Sequence, residues 1–172
     1  MTHFRRSFVE NEKDMNREPL AIRPAVEADL PVLEAMIIAS FEPITWARIL
    51  DDRVGPLNGM DWRERWKQRL EKVFATQILL VGEDEHGTAA CSTSTLDGPS
   101  ALAYIDILAV APERQHSGYG REMLRATMRH LQSLGAQYVN LDCLTTNTKA
   151  NELYRSEGFE EMACHIRWFR RL

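Results

Sequence analysis

The stretch Val110-Ala111-Pro112-Glu113-Arg114-Gln115-His116-Ser117-Gly118-Tyr119-Gly120-Arg121 joins an apolar strand to an amphipathic helix, with its two glycines at the helix start. Unpaired backbone N–H groups and the positive end of the helix dipole make such a junction an anion site, and Gly118 and Gly120 present no side chain to obstruct a phosphate. An ordinary glycine-rich turn has the same composition. The stretch matches neither G-x-x-x-x-G-K-[ST] nor G-x-G-x-x-G, so its surroundings must decide. Between residues 111 and 130, Arg114, Arg121, Arg125 and Arg129 outnumber Glu113 and Glu122, which suits a local anion site.

The whole chain has the opposite balance. Its 172 residues carry a formal net charge of −4, which excludes a global positive field for nucleic acid or an anionic membrane. Hydrophobic residues at 44% and charged residues at 27% are ordinary globular usage and argue against wholesale disorder. The length suits one domain, read as residues 19–172 behind a polar tail at residues 1–18. Cys91, Cys143 and Cys164 are odd in number and widely spaced, so neither a disulfide framework nor a zinc site is indicated, and a cytoplasmic setting is expected. No apolar run approaches the roughly 18 residues of a membrane span.

Working outward from the junction, residues 101–110 read as a buried strand, 118–134 as a helix, 136–144 as a strand and 148–157 as a short helix ended by Gly158. A helix crossing between two strands normally makes them parallel. Upstream lie a strand at residues 20–23, a helix at 28–41 stopped by Pro43, a loop containing Gly55, Pro56 and Gly59, and a helix opened by the capping-box sequence Asp61-Trp62-Arg63-Glu64. A hairpin follows over residues 77–82 and 88–95. A last strand is expected over residues 162–169. The class is α/β.

Two signatures give the junction its meaning. Val110-Ala111-Pro112 with Gln115-His116-Ser117-Gly118-Tyr119-Gly120 resembles the acetyl-CoA signature of the GNAT superfamily of N-acetyltransferases, V-x-P followed by [RQ]-x-x-G-x-[GA]. Residues 147–159, from Asn147 through Ala150, Leu153 and Tyr154 to Gly158-Phe159, are similar to the family pattern N-x-x-A-x-x-L-Y-x-x-x-G-F. The resemblance extends over residues 20–169, with its motifs between 104 and 159. It implies a GNAT-like mixed sheet of about six to seven strands, with an antiparallel N-terminal meander and a splayed parallel pair, flanked by about four helices. It also implies acetyl-CoA as acyl donor and no metal. Main-chain groups near Leu108 and Val110 would bond the pantetheine amides, N–H groups of Gln115, His116, Ser117, Gly118, Tyr119, Gly120 and Arg121 would cradle the pyrophosphate, Asn147 would contact CoA, and Tyr154 would protonate the departing thiolate. Many relatives carry glycine or arginine at the position of His116 and a basic residue at that of Ser117, so Arg114 and Arg121 are expected to supply the missing charge.

Asp106 stands alone as a carboxylate in an apolar strand. By strand alternation it shares a face with Tyr104, Leu108 and Val110, the face on which relatives place a carboxylate base. It is therefore read as the proton acceptor, with a structural aspartate satisfied by backbone N–H groups or an arginine as the other reading. Asn147 is also a good N-cap, and Tyr154 also suits a core aromatic. Cys143 lacks a histidine in a pairing motif and is set aside as a nucleophile. The tryptophans of the helix after Asp61 fall on its apolar face, which leaves a solvated amphipathic helix rather than a nucleic-acid surface. Phe41, Glu42 and Trp46 are read as acceptor-binding residues.

The function expected is transfer of an acetyl group from acetyl-CoA to a primary amine, a small molecule in preference, by direct attack in a ternary complex. A protein lysine or N-terminal acetyltransferase and a non-catalytic acyl-CoA-binding regulatory domain are the alternatives. No nucleic-acid or membrane partner is expected, and the sequence leaves a homodimer open.

Overall fold

Apolar runs separated by turn residues assemble, in the computed structural model that describes residues 18–172, into a five-stranded sheet ordered β1 (Ala21–Pro24), β2 (Ile78–Asp84), β3 (Gly87–Asp97), β4 (Leu102–Val110) and β5 (Tyr138–Leu141). The first four strands pair antiparallel. β5 pairs parallel to β4, because the chain crosses between them through helix α4 (Tyr119–Ser133). The remaining helices are α1 (Leu30–Phe41), α2 (Trp46–Val54), α3 (Trp62–Thr76) and α5 (Thr148–Ser156). The α/β class, the meander and the parallel pair are as expected, with five strands in place of six to seven and five α-helices in place of about four. The expected tail at residues 1–18 lies, but for Glu18, outside the described residues.

Two compact units divide the chain, one ending at Asp142 and the other running Cys143–Leu172. In the first, both sheet faces are buried. Leu33, Ile37, Trp62, Trp66 and Leu70 of α1 and α3 pack with Val81, Cys91, Ile107 and Ala109 on one face. On the other, Tyr119 and Met123 of α4 pack with Leu20, Leu80, Ala89 and Ala90, and Leu108 and Val110 lie against them. The capping box of α3 forms in full: Asp61 accepts from the N–H groups of Arg63 and Glu64, and Glu64 accepts from Asp61 N–H at 2.9 Å.

Two expectations are corrected. The stretch read as one loop after Pro43 contains α2, whose N-cap Thr45 accepts from Ala47 N–H at 3.3 Å and whose Ala47 is buried; Gly55, at φ 78°, then ends it. Only the second half of that stretch holds the glycines and proline that suggested a loop. The strand expected over residues 162–169 does not form. Met162, Ile166 and Trp168 are exposed at 88%, 75% and 86%. A strand exists only with a ladder partner, and the described residues of the second unit contain no other strand to supply one.

Candidate functional site

β4 is regular except at one residue. Thr93 of β3 pairs with Ile107 while Ser94 pairs with Ile105, so Asp106 is the extra residue of a β-bulge. A bulge turns a side chain away from the face that simple alternation assigns it. The Asp106 carboxylate accepts from Arg69 Nη2 of α3 at 2.5 Å and from Gln77 Nε2 at 3.0 Å, and is 12% exposed. It therefore lies with Ile107 and Ala109 on the α1 and α3 side, whereas Leu108 and Val110 pack toward α4. The common face expected for Tyr104, Asp106, Leu108 and Val110 is not formed, and the arginine partner of the structural reading is present. Tyr104 donates to Asp142 at 3.3 Å. Burial first, then the charges of Asp142 and Asp106, push its phenol up to about 12.

Beyond the bulge β4 has a bare edge. β5 pairs only with Leu102 to Ile105, so among the described residues no strand lies beside Asp106 to Val110 on that side. Ala111 N–H donates to Ala89 O of β3 at 2.8 Å, which turns the Val110 carbonyl, and with it the Val110 N–H, away from β3 toward the bare edge. The buried Ser40 hydroxyl lies 2.8 Å from the Val110 carbonyl and 2.7 Å from that of Met36, sharing one proton between them, and Gln115 Nε2 reaches Val110 O at 3.4 Å. Ser40, Arg69 and Gln77 escaped sequence reasoning because each is a long-range partner, 70, 37 and 29 residues from the atom it meets.

The chain leaves β4 through a 3-10 turn at Pro112–Arg114 into Gly118, the N-cap of α4 at φ 84°. A left-handed cap favours glycine, which gives Gly118 a backbone reason independent of any ligand. His116 is exposed and also left-handed at φ 67°, and the Ser117 hydroxyl donates to Arg114 O at 2.5 Å. Tyr119 is buried, and Gly120 and Arg121 complete the first turn, in which the N–H groups of Arg121 and Glu122 both donate to Gly118 O at 3.1 Å. Leu108, Val110 and residues 115–121 thus form one continuous main-chain surface from the strand edge to the helix N-terminus. Arg114 is committed elsewhere: its Nε lies 2.8 Å from Asp84, which also accepts from Tyr119 Oη at 3.3 Å and is 7% exposed. The expectation that Arg114 supplies phosphate charge gives way to a brace between the turn and β2. Burial alone would raise the Asp84 carboxyl; His86 N–H, the Arg114 cation and the Tyr119 hydroxyl together hold it below the usual carboxylate range.

In the second unit Asn147 caps α5, accepting from Ala150 N–H at 3.5 Å, so its capping role is realised. Tyr154 packs edge-on against Phe159 with ring centroids 5.8 Å apart. Burial first, and then Cys143, pushes its hydroxyl well above the ordinary phenol range, which favours its protonated form. Of the acceptor candidates in the first unit, Phe41 stacks on Trp66 at 4.9 Å and Glu42 is ion-paired with Arg63, whose guanidinium covers Trp62 at 4.6 Å. Trp46 opens α2 and is 41% exposed.

Comparison with known proteins accords with this arrangement. Residues 45–159 match the model of the Acetyltransferase (GNAT) family. A mycothiol acetyltransferase of Geodermatophilus obscurus is 34% identical over 74 residues, 43% of this chain and 24% of that protein's length. Among solved structures, the ribosomal-protein-S18-alanine N-acetyltransferase of Escherichia coli superposes with a TM-score of 0.63 at 20% identity over 84% of this chain and 79% of its own. The aminoglycoside N-acetyltransferase AAC(6')-Iy in complex with CoA gives 0.63 at 13% identity over 89% and 95%. These two likenesses establish a shared fold.

Proposed function

The chain belongs to the GNAT acetyltransferase family, and from that premise we propose that it is an acyl-CoA-dependent N-acyltransferase moving acetyl from acetyl-CoA to the primary amine of a small molecule in a ternary complex. One observation carries this reading: the bare edge of β4 from Asp106 to Val110 leads, through the turn at Pro112–Arg114, to the glycine-capped N-terminus of α4. A cosubstrate with amides at one end and phosphates at the other fits such a surface, the amides by strand addition and the phosphates at the turn and helix start of residues 116–120, since the N–H groups of Gln115 and Arg121 already donate to Pro112 O and Gly118 O. Acetyl-CoA supplies an activated thioester carbonyl.

The chain's own groups would divide the remaining work. An amine is mostly protonated at neutral pH, so the Asp106 carboxylate accepts a proton from it before attack. The Val110 N–H, facing the bare edge, donates to the carbonyl oxygen as it gains charge. Tyr154, its proton retained by burial, donates to the leaving sulfur. One structural neighbour is named as an aminoglycoside N-acetyltransferase, and the net charge of −4 suits a cationic amine.

The test is CoA release from acetyl-CoA against polyamines, aminoglycosides, arylalkylamines, amino acids and short peptides, with Tyr154→Phe and Asp106→Asn beside the wild type. Each substitution is expected to lower kcat at least tenfold while leaving acetyl-CoA binding intact. Turnover of peptides alone would move the reading to a protein acetyltransferase. Thermal stabilisation by acetyl-CoA without CoA release would make the chain a binding module.

A further inference from the structure

The residue proposed to receive an ammonium proton already holds a cation. Arg69 Nη2 sits 2.5 Å from Asp106 Oδ1, so a cationic acceptor approaching that oxygen meets a guanidinium of the same sign. The two partners of Asp106 differ in how firmly they are held. Gln77 bonds the other oxygen from the C-cap of α3, where its backbone N–H is fixed by Val73 O at 2.9 Å. Arg69 is a long side chain, 41% exposed, whose guanidinium also lies 5.0 Å from the centre of the Trp66 ring. Trp66 belongs to the buried core and is itself stacked by Phe41, so its face stays in place whatever Arg69 does.

We infer that Arg69 is a displaceable latch on Asp106, surrendering Oδ1 to a cationic acceptor and resting on the Trp66 face while the acceptor is bound. The inference rests on the acyl-transfer reading of Asp106 and adds a determinant of specificity to it. The carboxylate is never left unpaired, because one cation replaces another. Gln77 keeps Oδ2 in register throughout. A neutral acceptor has no charge with which to displace the guanidinium, so the latch selects acceptors that arrive as ammonium ions. Cation–π contact with an indole face offers the released guanidinium a favourable resting place at the protein surface.

Competition between Arg69 and the acceptor sets the size of the effect. A half-exposed ion pair is a weak competitor, so removing it should tighten acceptor binding about two- to fivefold. The experiment uses the full chain with Arg69→Met, which keeps the stem, and Arg69→Lys, which keeps the charge. Spermidine, kanamycin and phenethylamine serve as probes, titrated calorimetrically and assayed for CoA release. Arg69→Met should lower the Kd and KM of whichever probe binds by that factor, and Arg69→Lys should stay near wild type. In an Asp106→Asn background Arg69→Met should have no effect on Kd. Unchanged or weakened probe binding in Arg69→Met, or a tenfold loss of kcat at constant KM, would overturn the latch and make Arg69 a fixed positioning residue. Tightened binding without CoA release from any probe would leave the latch standing and remove the acyl-transfer reading.

Discussion

Asp84→Asn removes one charge from a brace that holds the turn between β4 and α4. The wild-type carboxylate takes Arg114 Nε at 2.8 Å, Tyr119 Oη at 3.3 Å and His86 N–H at 2.9 Å, and only 7% of it is exposed, against 28% of Arg114. Asparagine can still accept from His86 and Tyr119, so the loss is mainly that of the charge-assisted contact with a partly solvated arginine. That places the cost at about 2 kcal/mol, between an exposed pair and a fully buried one. For a chain of this size about 2 kcal/mol lowers Tm by roughly 4–8 °C. The pH dependence supplies an internal check. Because the folded carboxyl titrates below its unfolded value, its stabilisation is present above the unfolded pKa of about 3.8 and disappears as pH falls through the lower, folded value. Wild type and Asp84→Asn should therefore differ most near neutrality and converge in acid. Differential scanning calorimetry and urea melts from pH 3 to 8 measure this, and the KM for acetyl-CoA should rise several-fold while that for the acceptor is unchanged. Equal melting of the two proteins at pH 7 with an unaltered acetyl-CoA KM would refute the idea that this brace positions the turn.

Gly118→Ala forces a side chain onto a left-handed cap at φ 84° and should cost about 1 kcal/mol in urea unfolding, together with weaker acetyl-CoA binding by calorimetry. With a thiol reagent at pH 8, exposed Cys164 should react first and half-buried Cys143 more slowly. Cys91, fully buried and with its thiol pushed up to about 12, should react only after denaturation, which a stopped-flow count of released chromophore resolves. Asp29, held to about 2 chiefly by its hydrogen bond from Arg23 and then by Val26 N–H, contributes stability that is present above an unfolded pKa near 3.8 and fades as pH falls toward 2. Asp29→Asn should flatten that part of the stability–pH curve in acid-unfolding experiments.

What the sequence made legible was local. The capping box at Asp61, the glycine stop at Gly158, the hairpin and the crossover helix are each decided by residues within a few positions of one another, and each is found where it was read. The cap at Asn147 and the position of Tyr154 in α5 were legible for the same reason, since their motif lies on one short helix. α2 was hidden because its one strong signal, Thr45, stands immediately behind Pro43 and Ile44, and averaging over the following glycines concealed nine helical residues. The brace of Arg114 with Asp84 joins residues 30 positions apart across a sheet, and nothing in either neighbourhood announces the other.

The bulge at Asp106 separates the two kinds of information most sharply. Period-two alternation gave a definite answer, one face shared by Tyr104, Asp106, Leu108 and Val110, and that answer fails because a single extra residue moves everything beyond it to the other face. A run such as Ile105-Asp106-Ile107-Leu108 has no glycine or proline to mark the irregularity. The one clue is the carboxylate itself: with buried apolar positions on both faces of β4, an aspartate needs a polar partner on whichever side it emerges, and α3 offers Arg69 where α4 presents Tyr119 and Met123. The bulge thus assigns Asp106 to the α1 and α3 side, where Arg69 and Gln77 meet it, and leaves Leu108 and Val110 facing α4. On the proposed reading, proton acceptance draws on the α1 and α3 side of β4, whereas the acyl donor lies along the bare edge of the same strand.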